Sequence, residues 1–537
     1  MRMLRNLSRL RTLLLLAFLP AVALPAQANV FISVQPTSNM SCSGGVCAPT
    51  AQPANLNATD LAGMLASSDV TVMSGSDTQR REIVVKASFG WASTHRLTLD
   101  AKYAIMIAAP VVVSGPGGLT VTIDDPDGAL SAGPNGRIAF WDRSSRLVMN
   151  GRPFKLVGDI DNLASEIVAH SGVGNFALAG DVKSTIAYGA SPIPTIFNGT
   201  LEGLGNRIFF LRINDTAPNQ RDGLFATVGS SGKVRNLGLV NAKVQGTSGS
   251  SIGTLAGESD GTIFGSYSTG MVLHTGSGGS LGGLIGWNAN DITDSYSAAS
   301  VRGQSNVSAG GLAGTSSGTA DGQLYNTRAS GSVTGGNNAS VGGLVGTSAH
   351  YIYVSQASGS VTAGSASLAG GLVGQGSHGI VDSFASGAVR VGNLGKVGGL
   401  QGLLQGGYVT RSYATGSVTG PNAELGSLFG ECCDAKFQIV DEVYGTGAVS
   451  GAPHATIGGA IGYVAQSNWN HDYWDTDTTG VSNPGQGAGN VANYPGVSGL
   501  SDAQLRSAVP AGFNPSYWRQ SAGINNGYPY LFDNPPQ

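Results

Sequence analysis

Gly370-Gly371-Leu372-Val373-Gly374, then Ile380, then Asp382-Ser383-Phe384-Ala385-Ser386-Gly387 and Val389 make one unit of a pattern repeated from about Gly223 to Gly480. Gly282-Gly283-Leu284-Ile285-Gly286 with Ile292 and Asp294-Ser295-Tyr296 is an earlier copy, and Gly342-Gly343-Leu344-Val345-Gly346 another. The first leucine of each unit falls at Leu224, Leu255, Leu284, Leu312, Leu344, Leu372, Leu400 and Leu428, with Ala460 in the ninth place. Successive spacings are 31, 29, 28, 32, 28, 28, 28 and 32 residues. A fixed period near 28 in a glycine-rich chain is the signature of a solenoid.

Each unit holds three short apolar runs bounded by Gly, Ser, Asn or Thr: the Gly-Gly-Leu run, the Ile-x-x-Ser-Tyr run and the Gly-x-Val-x-Gly run. Runs this short read as strands. Three strands per coil predict an all-β chain, a right-handed parallel β-helix whose coils bury one another's apolar faces. The glycines have two readings: positive φ at corners, or room for close backbone approach. Tyr267, Tyr296, Tyr325 and Tyr413 recur at what reads as one position, an aromatic ladder.

The unit Gly-Gly-Leu-x-Gly, Ile, Ser-Tyr-(Ala/Ser)-x-Gly-x-Val-x-Gly resembles the GLUG repeat of filamentous-haemagglutinin-type adhesins and of the non-catalytic part of some bacterial IgA-cleaving peptidases. It covers roughly half the chain and is more specific for repeat type than for activity. The stretch from Ile83 through Trp91 to Leu99, and on to Gly117-Gly118-Leu119-Thr120-Val121, is similar to haemagglutinin rungs and favours the adhesin side. The resemblance also implies an outer-membrane export partner. Gly133-Pro134-Asn135-Gly136-Arg137-Ile138 is only a partial match to the secretion motifs of such exoproteins.

Residues 1–28 read as a signal peptide. Arg2, Arg5, Arg9 and Arg11 precede an apolar core from Leu13 to Leu19, and Ala26-Gln27-Ala28 offers a cleavage site after Ala28. The mature chain then has 25 basic against 32 acidic residues, a net charge of −7. With no Lys/Arg block, nucleic acid is excluded as a partner, and no later apolar run is long enough for a membrane span. Cys42 and Cys47, close together in an exported chain, form a disulfide candidate. Cys432 and Cys433 are open between buried thiols, a vicinal disulfide and an intermolecular link.

Four regions follow: the signal peptide 1–28, an irregular haemagglutinin-like β-helical region 29–220, the repeat solenoid 221–480 and a capping tail 481–537. Short helices are expected from Asn57 to Leu65, Asp161 to His170 and Ser501 to Ala508, the last with Ser501 as N-cap. The aromatic tail is expected to cover the last β edge.

No chemistry stands out. The seven histidines are isolated, so the metalloprotease pattern His-Glu-x-x-His is lacking. Gly-x-Ser-x-Gly occurs around Ser251, Ser259, Ser280 and Ser316, but an elbow serine needs a strand-turn-helix setting that this sequence does not offer. Asp475-Thr476-Asp477 imitates the start of a calcium loop, and Asp124, Asp125 and Asp127 form an acidic turn whose calcium binding the sequence leaves open. The expectation is a secreted or cell-surface, adhesin-like rod without catalysis, metal or cofactor. It would bind a host, matrix or neighbouring-cell glycan or protein. The alternative is an extracellular β-helix polysaccharide lyase or hydrolase, favoured if the Asp124 turn faced a groove with Arg or Lys opposite.

Overall fold

The computed structural model describes residues 29–75, 81–318, 322–432, 439–465 and 468–536. The signal segment and Cys433 lie outside the described residues. The chain is nearly all β, a right-handed-type parallel β-solenoid of about 16 turns. At ~4.8 Å per turn the rod is about 75 Å long.

The repeat leucines explain the regular part. Leu224, Leu255, Leu284, Leu312, Leu344, Leu372, Leu400, Leu428 and Ala460 are all 0% exposed. Their main chains form a ladder along the axis: Leu284 N donates to Leu312 O at 2.9 Å, and Leu372 N to Leu400 O at 2.8 Å. The Gly-Gly-Leu run is not a strand but a corner. Ser340–Gly342 belongs to one nine-stranded sheet and Val345–Ser348 to the next, with Gly343 and Leu344 between them. A third, longer sheet carries the rest of each coil in two-to-three-residue pieces such as Ile292–Thr293, Tyr296–Ser297 and Ser300–Arg302. We call it the flank.

Close approach, not positive φ, explains the corner glycines. A Cβ on Gly343 would lie 2.0 Å from Gly371 O, and one on Gly371 2.0 Å from Gly399 O. The left-handed backbone occurs instead at two other places in the coil, mostly without glycine: a turn held by Asn306, Asn338, Ala366, Leu394 and Asn422, and a corner on the flank. Asn236, Gly265, Asp294, Asn326, Val354, Asp382, Arg411, Glu442 and His471 hold that corner with φ between 47° and 58°. The residue after each corner is buried and polar in most coils. Ser355 Oγ accepts from Thr327 N at 3.0 Å and donates to Tyr353 O at 2.8 Å, and Ser383 Oγ repeats this one coil on. The serine of the Ser-Tyr pair thus joins the coils internally, while the tyrosine points outward.

The N-terminal stack is separate in its core. Its sheets run through Val30–Ser33, Glu82–Val85, Ala104–Ile107 and Leu130–Ala132, with Arg96–Ala101 and Gly118–Ile123 on another side. Helix α1 (Ala58–Leu65), capped by Asn57, lays Leu61 and Leu65 on that core. Antiparallel pairing of Arg146–Met149 with Arg152–Val157 turns the chain into the second stack, whose core begins at Val157, ahead of residue 221. Helix α2 (Ile160–Ala169), with Asp159 as N-cap, follows this turn.

Cys42 and Cys47 are disulfide-bonded across the hairpin Met40–Ser43 and Val46–Pro49. Replacing both by alanine is expected to cost about 2 kcal/mol, the loop-closure entropy of so short a loop. A thermal melt beside the wild type checks this. Cys432 is buried in an interior column that also holds Ser259, Asn288, Ser316 and Ser348.

The interior also holds carboxyls. Asp222 is 1% exposed, and burial, then the neighbouring Asp215 carboxylate, raise its pKa to about 7. Folded, it keeps its proton well above the value of 3.8 at which the unfolded chain releases it. Unfolding therefore releases a proton in that window, and stability falls as pH rises from about 4 to about 7, by at most ~1.4 kcal/mol per pH unit. Denaturant melts across this range should show a shallower slope in Asp222→Asn.

Candidate functional site

The outward residue two places after each left-handed corner forms a column along the flank. In order it is Arg207, Gly238, Tyr267, Tyr296, Arg328, Gln356, Phe384, Tyr413, Tyr444 and Tyr473. In-register stacking puts like residues one above another, so aromatic rings face each other. Tyr267 and Tyr296 stack at 4.8 Å and 4°, Phe384 and Tyr413 at 4.8 Å and 5°, Tyr413 and Tyr444 at 5.1 Å and 6°. Tyr325 is not in this column. It pairs with Thr293 and Tyr353, and Arg328 takes the place opposite Tyr296. The cause is local: Tyr325 precedes its coil's left-handed corner, Asn326, instead of following it.

The two halves of the column differ in what covers them. The end of the last coil is closed by residues 486–489, where Gln486 O and Gly487 O accept from Gly459 N and Ala460 N. The aromatic tail beyond them does not lie over that end. It turns back along the flank, and Leu505, Phe513, Trp518, Tyr528 and Leu531 form one cluster with Phe384, Tyr413 and Tyr444. Helix α3 (Asp502–Ser507), with a capping box on Ser501, starts this return. Glu442 Oε2 accepts from Trp518 Nε1 and from Asn514 N, both at 2.9 Å. Tyr444 donates to Pro529 O at 2.5 Å, Arg411 lies 4.2 Å over the Tyr517 ring, and Asn534 Nδ2 donates to Asp382 O at 2.9 Å. Burial drives the Tyr413 and Tyr444 hydroxyls far above their ordinary pKa, so both stay neutral.

Toward the N-terminal side the column is open. Tyr296 is 42% exposed, and Tyr267, Arg328 and Gln356 are partly exposed. Burial raises the Tyr296 hydroxyl to about 12, so the open half presents neutral rings with hydroxyl donors. Beside it Arg207 and Arg235 lie over Phe209 and Phe264 at 5.1 and 5.2 Å, and Arg207 pairs with Asp181 at 2.9 Å. Two depressions border this half. One of about 450 Å³ includes Arg137, Trp141, Arg143 and Asp181; the other, of about 670 Å³, includes Phe210, Arg212 and Lys243. No sequence motif marks either.

The residues singled out for chemistry are engaged in turns or the core. Asp124 pairs with Lys102 at 2.6 Å, and Asp125 accepts from Asp127 N at 2.9 Å in a tight turn; none of the three acids lines either depression. Asp475 is fully buried, accepts from Asp477 N and Thr478 N, and has Tyr528 Oη 3.2 Å away, so it anchors the tail. Ser316 Oγ lies 3.0 Å from His350 Nδ1, but the pair is 0% and 2% exposed inside the coil and offers no access to substrate. Ser259 is likewise buried, with Oγ donating to Gly261 O, and Ser280 hydrogen-bonds Thr315 at 2.8 Å. Among the described residues no group of three or more His, Cys, Asp or Glu could hold a metal ion, and no helix is long and apolar enough to cross a membrane.

The chain matches no protein-family profile. It is 31% identical over 137 residues to halomucin of Haloquadratum walsbyi, which covers 26% of this chain but 1% of that protein. A crystal structure of a Bacteroides ovatus protein provisionally named an immunoglobulin A1 protease aligns over 71% of this chain and 93% of its own, with 18% identity and a TM-score of 0.33.

Proposed function

We propose that this chain is a secreted or cell-surface, adhesin-like rod of the GLUG-repeat type that binds glycans without turning them over. The observation that carries this is the half-open aromatic column: the surface that the tail buries at Phe384, Tyr413 and Tyr444 continues uncovered through Tyr296 and Tyr267. Neutral aromatic edges with their hydroxyls, flanked by guanidinium groups, suit the hydroxyl-rich surface of sugars. The signal-peptide pattern and the net charge of −7 support an extracellular place and argue against nucleic acid. No observation favours the polysaccharide-cleaving alternative: Asp124 has Lys102 beside it, but neither it nor Asp125 or Asp127 lines either depression.

A glycan-array and cell-binding screen, with sugar cleavage followed in the same wells, tests this. The expected result is saturable binding without product, weakened about three- to tenfold by Tyr296→Ala, the value of one aromatic contact. Product formation, or binding indifferent to both Tyr296→Ala and Tyr267→Ala, would overturn it.

A further inference from the structure

The depression where the two stacks meet has a more specific chemistry than the open column. Trp141 stands there 74% exposed, more than any other aromatic side chain among the described residues. Its placement is fixed. Trp141 N donates to Val113 O at 2.9 Å, Ser145 N donates to Asp142 O at 3.1 Å, and Ser145 Oγ donates to Gly115 O at 2.9 Å, so residues 141–145 form a pinned turn. Arg143 rises from the same turn and lies across Gly158, its Nη1 2.9 Å from where a Cβ would sit. A side chain at 158 would displace it.

The charges leave Arg143 available. It forms no ion pair among the described residues. Asp159, across the cleft, accepts from Asn162 N at 2.7 Å as the cap of α2. Asp181 is taken by Arg207 at 2.9 Å, with Arg137 farther off at 3.8 Å. Asp142 accepts from Ser144 N and Oγ at 2.8 and 2.7 Å. The cleft thus sets one unpaired guanidinium, a second only loosely paired, and a bare indole face around about 450 Å³, a volume in the range of small-ligand sites.

We propose that this cleft binds a carboxylated sugar, a uronic acid residue at the end or within an acidic glycan. The indole would stack on the apolar face of the ring, and the Arg143 guanidinium would take the carboxylate through two parallel hydrogen bonds, a geometry a lysine does not reproduce. A phosphate alone would use the guanidinium but leave the indole bare. A neutral sugar would do the reverse. The inference rests on the reading of this flank as a glycan surface, and it adds the ligand's charge and a second contact point where the column begins.

The test is a titration of the purified protein with a short oligogalacturonate, followed by tryptophan fluorescence and by calorimetry. A neutral oligosaccharide of the same length and inorganic phosphate serve as separate arms. Expected are saturable quenching by the acidic oligomer alone, affinity reduced about tenfold or more in Arg143→Gln and not restored in Arg143→Lys, and loss of both quenching and heat in Trp141→Ala. Melting temperature should be unchanged in all three variants, because both side chains lie on the surface. Equal binding of the neutral oligomer, binding of phosphate with the same Arg143 dependence, an Arg143→Gln variant of unchanged affinity, or no heat with the acidic oligomer would each overturn the proposal. Tyr296→Ala separates this from the wider reading. A short oligomer confined to the cleft keeps its affinity in that variant, whereas a longer glycan that binds only through the column loses it.

Discussion

Trp518→Ala is expected to release the returning tail from the flank while leaving the solenoid folded. The side chain is 1% exposed and sits against Phe513 at 4.7 Å, Tyr444 at 5.8 Å and Tyr413 at 6.1 Å between ring centres. Truncating a buried tryptophan costs about 3–5 kcal/mol. The indole N–H to Glu442 goes with it, leaving that carboxylate only the Asn514 N–H. The tail's other anchors are the smaller apolar side chains Leu505, Phe513, Tyr528 and Leu531, the Arg411–Tyr517 contact, and hydrogen bonds such as Tyr473 to Ala511 O at 2.8 Å, each such bond contributing about 1 kcal/mol. The loss at Trp518 therefore outweighs any one of them. Coils depend chiefly on their neighbours, so damage on the outer face stays there. Trypsin reads this directly. Arg506, held by Asp502 at 2.7 Å in the intact tail, and Arg519 should be cut about a hundredfold faster in the variant, with cleavage of the repeats unchanged. Equal rates would mean the tail is held by something other than this cluster.

How far such features can be read in advance depends on whether they repeat. The eight buried leucines, with Ala460 in the ninth place, were visible because each coil meets the same neighbours and so selects a similar small or branched apolar residue. Helices α1 and α3 were visible through Asn57 and Ser501, since caps are local chemistry. The flank corner was hidden because its left-handed backbone is carried by residues as unlike as Val354, Arg411 and Glu442, which no composition rule picks out. The role of the tail was half legible. Its aromatics announced that it packs on something, but only the folded chain shows that their partners are Phe384, Tyr413 and Tyr444, more than fifty residues earlier in the sequence. Trp141 and Arg143 gave no signal at all. They occur once, in the irregular region, and mean something only where two stacks meet.

The corner glycines provide the largest effect of a single methyl group. In Gly371→Ala the new Cβ would sit 2.0 Å from Gly399 O and 2.9 Å from the Ala385 Cβ, and the first of these is backbone, unable to rotate aside. Relief requires moving the next coil, and that coil is held by the Leu372 N–H to Leu400 O bond directly beside the clash. Overpacking of a tight core costs about 1–3 kcal/mol when side chains can give. Here they cannot, so a loss of at least about 3 kcal/mol is expected, together with rapid hydrogen exchange confined to the coils around residues 371 and 399. Gly63→Ala is the control with the opposite sign. That glycine lies inside α1 with nothing within 4 Å of its Cβ position, so alanine should stabilise by about 1 kcal/mol through helix propensity and a less flexible unfolded chain. Denaturant melts of the two variants therefore separate space from composition. If both glycines tolerated alanine equally, the corners would owe their glycine to something other than the spacing between coils, and the packing account of the repeat would fall with them.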